Sequence, residues 1–172
     1  MTVRPADWAR DAESVRAIDT SFTTDRVYRF GRERGGFGFA FPLVTTTAVT
    51  KSYPLPEDDP GPGSFVAEAG GAVVGFGQVD PPAWNGHAVV RHLYVSAPRR
   101  GQGLGTALVD SLGNHARAAG ARCLWLETQN VNYPGIQFYL RRGFYLCGFD
   151  ESFYDPVETP GEFAFFFSLP SL

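Results

Sequence analysis

Leu104, Leu108, Leu112 and Ala116 recur at four-residue spacing and mark the apolar stripe of a helix predicted over 106–119. Gly120 follows where a helix C-terminal glycine belongs. Compact apolar runs at 88–95 and 123–127 flank that helix and read as buried strands. Two more runs, 65–68 and 73–79, join through Gly70-Gly71 as a hairpin, and Trp84-Asn85-Gly86 makes the next turn. Residues 2–4 suit a short first strand. Residues 7–18 read as a helix with Trp8, Val15 and Ile18 near one face. The polar and aromatic stretch 19–34 reads as a loop with a second helix or an irregular segment, and 35–49 as strand. Residues 54–64 hold too much proline for any regular element. A short helix over 134–142, with Pro134 in its first turn and Gly143 ending it, precedes strands at 145–149 and 163–169. The order implies a mixed α/β sheet with helices on both faces, in a single domain over 1–172.

A net charge of −3 gives no sign of broad nucleic-acid binding. No apolar run is long enough to predict a membrane span, and the N-terminal residues lack the apolar stretch of a signal peptide, so a cytoplasmic location is expected. Cys123 and Cys147 lie in apolar runs and read as small buried hydrophobes. With three histidines they show no metal-ligand spacing, and no metal site is expected. His87 and His115 read as surface residues.

Between the strand at 88–95 and the helix at 106–119 stands Arg99-Arg100-Gly101-Gln102-Gly103-Leu104-Gly105-Thr106. A strand, a glycine-rich turn and a helix start expose backbone N–H groups at the positive end of a helix dipole, where diphosphates bind. A P-loop needs a lysine here, and Lys51 is far away. The dinucleotide fingerprint Gly-x-Gly-x-x-Gly fails, because Thr106 or Leu108 occupies the third glycine's place. Arg-x-x-Gly-x-Gly does fit, at Arg100, Gly103 and Gly105. It resembles the pyrophosphate loop of the GNAT family of N-acetyltransferases, which holds the diphosphate of acetyl-CoA. An ordinary glycine-rich turn is the alternative on the loop alone.

Asn132, Gly135, Phe138, Tyr139, Gly143 and Phe144, following the apolar run 124–127, resemble the C-terminal half of the same family. The resemblance covers residues 65–150. It implies the GNAT fold, a mixed central sheet with a V-shaped splay between its two central parallel strands. Within the family, Leu126-Glu127-Thr128-Gln129, Trp84-Asn85-Gly86 and Ser21-Phe22-Thr23-Thr24 look like the streptothricin (nourseothricin) acetyltransferases. The implied activity is acetyl-CoA-dependent transfer to a primary amine of a small cationic acceptor. A protein or peptide N-terminal acetyltransferase and a non-catalytic acyl-CoA-binding module are the alternatives.

The resemblance also implies roles. Leu93, Tyr94 and Val95 would pair by backbone with the pantetheine arm and donate an N–H to the developing oxyanion. Arg100, Gly101, Gln102, Gly103, Leu104, Gly105 and Thr106 would hold the diphosphate. Asn132 would position the pantetheine or the helix turn, and Tyr139 would protonate the leaving thiolate, a packed aromatic beside Phe138 being the alternative. A primary amine has a pKa of about 10, so a base assists near neutrality. Glu127, closing an apolar strand, reads either as that base or as an electrostatic anchor for the acceptor's cation. His92 is the rival base or a structural histidine. It and Arg91 stand where many members, the streptothricin group included, carry acidic residues. Segments 19–34, 81–85 and 150–160 would select the acceptor. In the last, Asp150, Glu151, Asp155 and Glu158, with Glu127, read either as an attraction for a polycationic acceptor or as a solvated acidic loop. The apolar run Phe163-Ala164-Phe165-Phe166-Phe167 reads as a covered strand, the cover being a helix of the same chain or a second copy in a homodimer.

Overall fold

The structure is a computed structural model that describes residues 1–170. The last two residues of the expected domain, 171 and 172, lie outside the described residues. In chain order the elements are β1 (Thr2–Pro5), α1 (Trp8–Arg16), β2 (Phe22–Tyr28), β3 (Gly31–Arg32), β4 (Phe39–Ala40), β5 (Leu43–Lys51), β6 (Ser64–Ala69), β7 (Ala72–Val79) and β8 (His87–Val95). A 3-10 turn, Ala97–Arg99, leads to α2 (Leu104–Ala118), β9 (Cys123–Gln129), α3 (Tyr133–Arg141), β10 (Tyr145–Asp150) and β11 (Ala164–Pro170). They pack into two compact units. The first holds Met1–Ser21, Ser52–Leu126 and the described residues from Ser168. The second holds Phe22–Lys51 and Glu127–Phe167. β9 and β11 each run from one unit into the other.

In the first unit the strand order is β1-β6-β7-β8-β9. The pairs β1/β6, β6/β7 and β7/β8 are antiparallel, and β8/β9 is parallel. This is the expected mixed sheet, and its helices cover both faces. On one face Val15 and Ile18, beside and beyond the end of α1, pack with Val66 and Phe76, with Trp8 against them. The opposite face of β7 carries Gly75 and Gly77, which leave room for α2. Leu108 and Leu112 come within 3.2–3.3 Å of where a Cβ would stand on those two glycines. Leu104, Leu108, Leu112 and Ala116 are all buried, as their spacing predicts. Each leucine so buried contributes about 2 kcal/mol.

No side chain caps the N-terminus of α1. Instead the buried Asp11 accepts the Asp7 N–H at 2.9 Å and a forked pair from Arg4 at 2.6 and 2.9 Å. Arg4 also reaches Glu68 on β6. The Arg4 guanidinium holds the Asp11 carboxyl far below the usual carboxylate range.

The second unit corrects two expectations. Residues 19–34 contain no helix. Phe22–Tyr28 is a strand, paired antiparallel with β5, and Gly31–Arg32 pairs with Phe39–Ala40. A bulge between Thr24 and Arg26 breaks the alternation of buried and exposed residues, which hid the strand from its pattern. Nor is 35–49 one strand. Gly35 and Gly36, both at positive φ, form a turn, and Pro42 separates β4 from β5.

This unit's strand order is β9-β11-β10. Phe30, Phe41, Phe149, Phe163 and Phe165 form a ring-packed cluster with neighbouring centroids at 4.9–6.1 Å. Part of the run 163–167 is therefore covered by aromatic side chains of its own unit. Cys123 is buried as expected, but Cys147 is exposed, because Tyr145, Leu146 and Cys147 lie at the open start of the edge strand β10. His87 and His115 are half-buried rather than on the surface. His87 stacks on Trp125, and His115 meets Phe65 edge-on.

Asn130 is 1% exposed and ties this unit together. Its side chain donates to the carbonyls of Tyr28 (2.8 Å) and Gly161 (3.3 Å) and accepts from the Phe163 N–H at 3.0 Å. Its backbone bonds Tyr28 and Phe163 again. Replacing Asn130 with Ala removes the side-chain partner of three backbone groups, those of Tyr28, Gly161 and Phe163. We expect a loss of about 3 kcal/mol in urea unfolding; a loss below about 1 kcal/mol would show that the clamp is not structural.

Candidate active site

In the first unit, β8 delivers Leu93, Tyr94 and Val95, which register with Gly77, Phe76 and Gly75 of β7. The parallel register with β9 runs only from His87↔Cys123 to Val89↔Trp125. Ladder bonds with β9 therefore do not occupy the β9-side edge of Arg91–Val95, as a splayed pair requires. Tyr94 stacks on Tyr53 at 6.0 Å and packs against the α1 cluster, so its side chain serves the core while its backbone faces the edge.

The turn after β8 is built by its own side chains. Arg100 Nε donates to the Val95 carbonyl at 2.8 Å, and the Gln102 amide reaches Pro98. Gly101 and Gly103 stand at φ 75° and 84°, the left-handed region that favours glycine. Gly103 is the N-cap of α2, and no side chain caps that end. Nothing lies within 4 Å of a Cβ placed on Gly101. Leu104 is buried in the core, so it offers only its N–H, and Gly105 and Thr106 complete the first turn. An uncapped, glycine-lined helix N-terminus with open space before it fits a diphosphate.

His92, also on β8, is flanked by Phe76 and Tyr94, each at 5.9 Å. Burial, with Arg91 adding to it, pushes its pKa below the usual histidine value, so the imidazole is neutral at neutral pH. Its Nδ1 finds no hydrogen-bond partner among the described residues. Arg91 is turned to Asp80 at 2.6 Å.

In the second unit, Glu127 starts the portion of β9 that belongs there. Burial raises its pKa above the ordinary carboxylate value, and a hydrogen bond from the Tyr154 phenol to Oε1 opposes the shift. Asn132 caps α3. Its Oδ1 accepts the Gly135 N–H at 3.1 Å and its Nδ2 donates to Thr128 Oγ1 at 2.9 Å. Of its two expected roles, the helix turn is the one displayed. A Cβ on Gly135 would fall within 2.5–2.8 Å of that side chain, which explains the small residue three positions after Asn132. Tyr139 is half-buried on α3, with Phe138, Phe144 and Phe167 at 5.7–6.0 Å around its ring.

Three of the four acids in 150–160 do local work. Asp150 takes the Ser152 N–H and hydroxyl, Asp155 takes the Val157 N–H, and Glu151 pairs with Arg32. Sequence reasoning missed Tyr154 and Asn130. Charge is the most visible feature of the loop that holds Tyr154, and Asn130 has no local pattern to mark it.

The model of the Acetyltransferase (GNAT) family matches residues 37–144. The chain belongs to the GNAT acetyltransferase family. Streptothricin acetyltransferase of Streptomyces lavendulae is 35% identical to it over 172 residues, covering 93% of this chain and 90% of that protein. The crystal structure of nourseothricin acetyltransferase matches with a TM-score of 0.85 at 39% identity, covering 98% of this chain and 97% of that one. A Bacillus anthracis str. Ames protein solved in complex with acetyl coenzyme A has the same fold, with a TM-score of 0.85 at 24% identity, covering 99% of both chains. This GNAT acetyltransferase is an acetyl-CoA-dependent N-acetyltransferase. Among the described residues no helix is long and apolar enough to cross a membrane.

Gly103→Ala tests the loop. A methyl at φ 84° carries a backbone strain of about 1–2 kcal/mol and disturbs the N–H groups of the first turn of α2. Acetyl-CoA affinity measured by calorimetry is expected to fall about tenfold or more, with far-UV circular dichroism retained. Unchanged affinity would remove the loop from the binding site.

Proposed function

We propose that the protein acetylates a primary amine on a small cationic acceptor of the streptothricin type. The observation that carries this reading is the extent of the likeness to the Streptomyces lavendulae enzyme. It spans 93% of this chain, well beyond the residues matched by the family model, and so reaches the segments that vary with acceptor.

Each part of the chain then has a task. The first-turn N–H groups of α2, with Gly101, Gln102 and Arg100, hold a diphosphate, and the edge of Leu93–Val95 holds an extended arm by backbone bonds. Bound acetyl-CoA supplies an activated acetyl thioester. A backbone N–H of the Leu93–Val95 edge meets the negative charge that develops on the acetyl oxygen. Glu127 accepts a proton from the acceptor's ammonium at a carboxylate oxygen. Its burial raises its proton affinity above that of an ordinary carboxylate. Tyr139 returns a proton from its phenol to the departing thiolate. His92 is neutral and chemically able to act as a base, but its Nδ1 has no partner to orient it, which favours Glu127.

Thiol release from acetyl-CoA, followed with streptothricin, aminoglycosides, polyamines and N-terminal peptides, tests the reading. Streptothricin is expected to turn over fastest. Tyr139→Phe and Glu127→Gln are each expected to lower kcat about a hundredfold. Because Glu127 must be ionised to accept a proton, kcat/KM should rise with pH through a limb above the ordinary carboxylate range, and Glu127→Gln should erase that limb. Turnover of peptides alone would make the protein an N-terminal acetyltransferase. Acetyl-CoA binding without turnover of any amine would make it a binding module.

A further inference from the structure

We propose that Tyr154 is a positioning residue for acetyl transfer: its phenol donates to Oε1 of Glu127, fixing that carboxylate and leaving Oε2 to meet the acceptor amine. The inference rests on the reading of Glu127 as the proton acceptor.

Tyr154 lies in the loop between β10 and β11, and that loop is tied at several points inside the second unit. At its start the Asp150 carboxylate accepts the Ser152 N–H and hydroxyl, both at 2.8 Å, and Glu151 pairs with Arg32. Just past Tyr154, Asp155 accepts the Val157 N–H at 2.8 Å through its carboxylate and the Thr159 N–H at 2.9 Å through its carbonyl. At its end Phe163 is clamped to Asn130 by bonds in both directions. The Tyr154 ring stands edge-to-face on Phe153 at 5.2 Å, and Phe153 stands likewise on Phe166 of β11 at 5.7 Å. A phenol held this way is a donor of fixed direction. It costs little ordering when the reaction needs it.

The partner atom is equally well defined. Glu127 is half-buried, its Oε1 takes the Tyr154 bond, and its Oε2 takes no hydrogen bond among the described residues. The titratable group set against it is the Tyr154 phenol. Among the described residues no Arg, Lys, Asp or Glu side chain adds a charge interaction to it. A lone half-buried carboxylate swings and protonates readily. One strong donor on one oxygen restrains both tendencies and leaves the other oxygen free. In the transfer the N–H bond of the acceptor ammonium breaks and the proton passes to Oε2. The nitrogen lone pair so freed attacks the acetyl carbon, the acetyl C–S bond breaks, and the thiolate leaves with the proton of the Tyr139 phenol. The second proton of the acetylated nitrogen restores that phenol, and Tyr154 keeps its own proton throughout.

The test is the pH profile of kcat/KM for wild type, Tyr154→Phe, Glu127→Gln and the double variant, with acetyl-CoA and an amine that turns over. Removing the phenol withdraws a bond that favours the ionised carboxylate, so the acidic limb of Tyr154→Phe should move up by about one pH unit. Most of the rate should return above the limb. The Glu127 carboxyl resonance, titrated by carbon-13 NMR in the full chain, should move the same way without reference to activity. In the Glu127→Gln background, Tyr154→Phe should cost nothing further. A loss in Tyr154→Phe that is equal at every pH, with limb and resonance unmoved, would overturn the proposal while leaving Glu127 as the base. A Glu127→Gln variant with wild-type rate and profile would overturn the reading of Glu127, and this inference with it.

Discussion

The second unit depends on one buried amide. Asn130 follows directly on β9 and satisfies backbone groups of Tyr28, Gly161 and Phe163, which lie far apart in sequence. Backbone polar groups taken from water must find partners, and an unpaired one costs as much as a good bond contributes. By meeting that demand at the junction of β2, β9 and the approach to β11, Asn130 sets where β9 ends and where the loop 151–163 closes. Glu127 and Tyr154 stand on those two segments, so the geometry of the proposed proton acceptor is inherited from a residue that touches neither.

The helices α2 and α3 solve the same problem in opposite ways. α3 satisfies its first-turn donors internally, through the Asn132 side chain, and Gly135 is small because that side chain occupies the space above it. α2 begins at Gly103, which has no side chain to offer, and its leading N–H groups are uncapped. A capped start is a structural end. An uncapped start with left-handed glycines before it keeps its donors and its dipole available to an anion. The first unit thus leaves backbone donors uncapped, while the second carries ionisable side chains in half-buried settings.

The elements that were legible from the sequence are those whose signal is local. The stripe of α2, the Gly70-Gly71 hairpin, the Arg100–Gly105 loop and the Asn132–Phe144 frame each depend on residues within a few turns of one another, and each appears where expected. β2 was missed because a bulge spoils its alternation and its partner β5 lies beyond an intervening hairpin. Cys147 was misread because an apolar run cannot tell a central strand from an edge strand. Its exposure follows from β10 taking the outermost place. Within 150–160, Asp150 and Asp155 are turn-formers bonding backbone two residues on, a role their charge alone does not reveal.

The sequence by itself determined the family resemblance, the glycine-rich turn before α2 and the candidacy of Glu127, His92, Asn132 and Tyr139, because these rest on residue type at short, fixed spacing. Tertiary structure decided their environments. It buried Glu127 enough to raise its proton affinity, brought Tyr154 to it from 27 residues away, left His92 without an orienting partner and committed Asn132 to capping. Such properties depend on desolvation and on partners distant along the chain, and no local pattern of residues encodes either one.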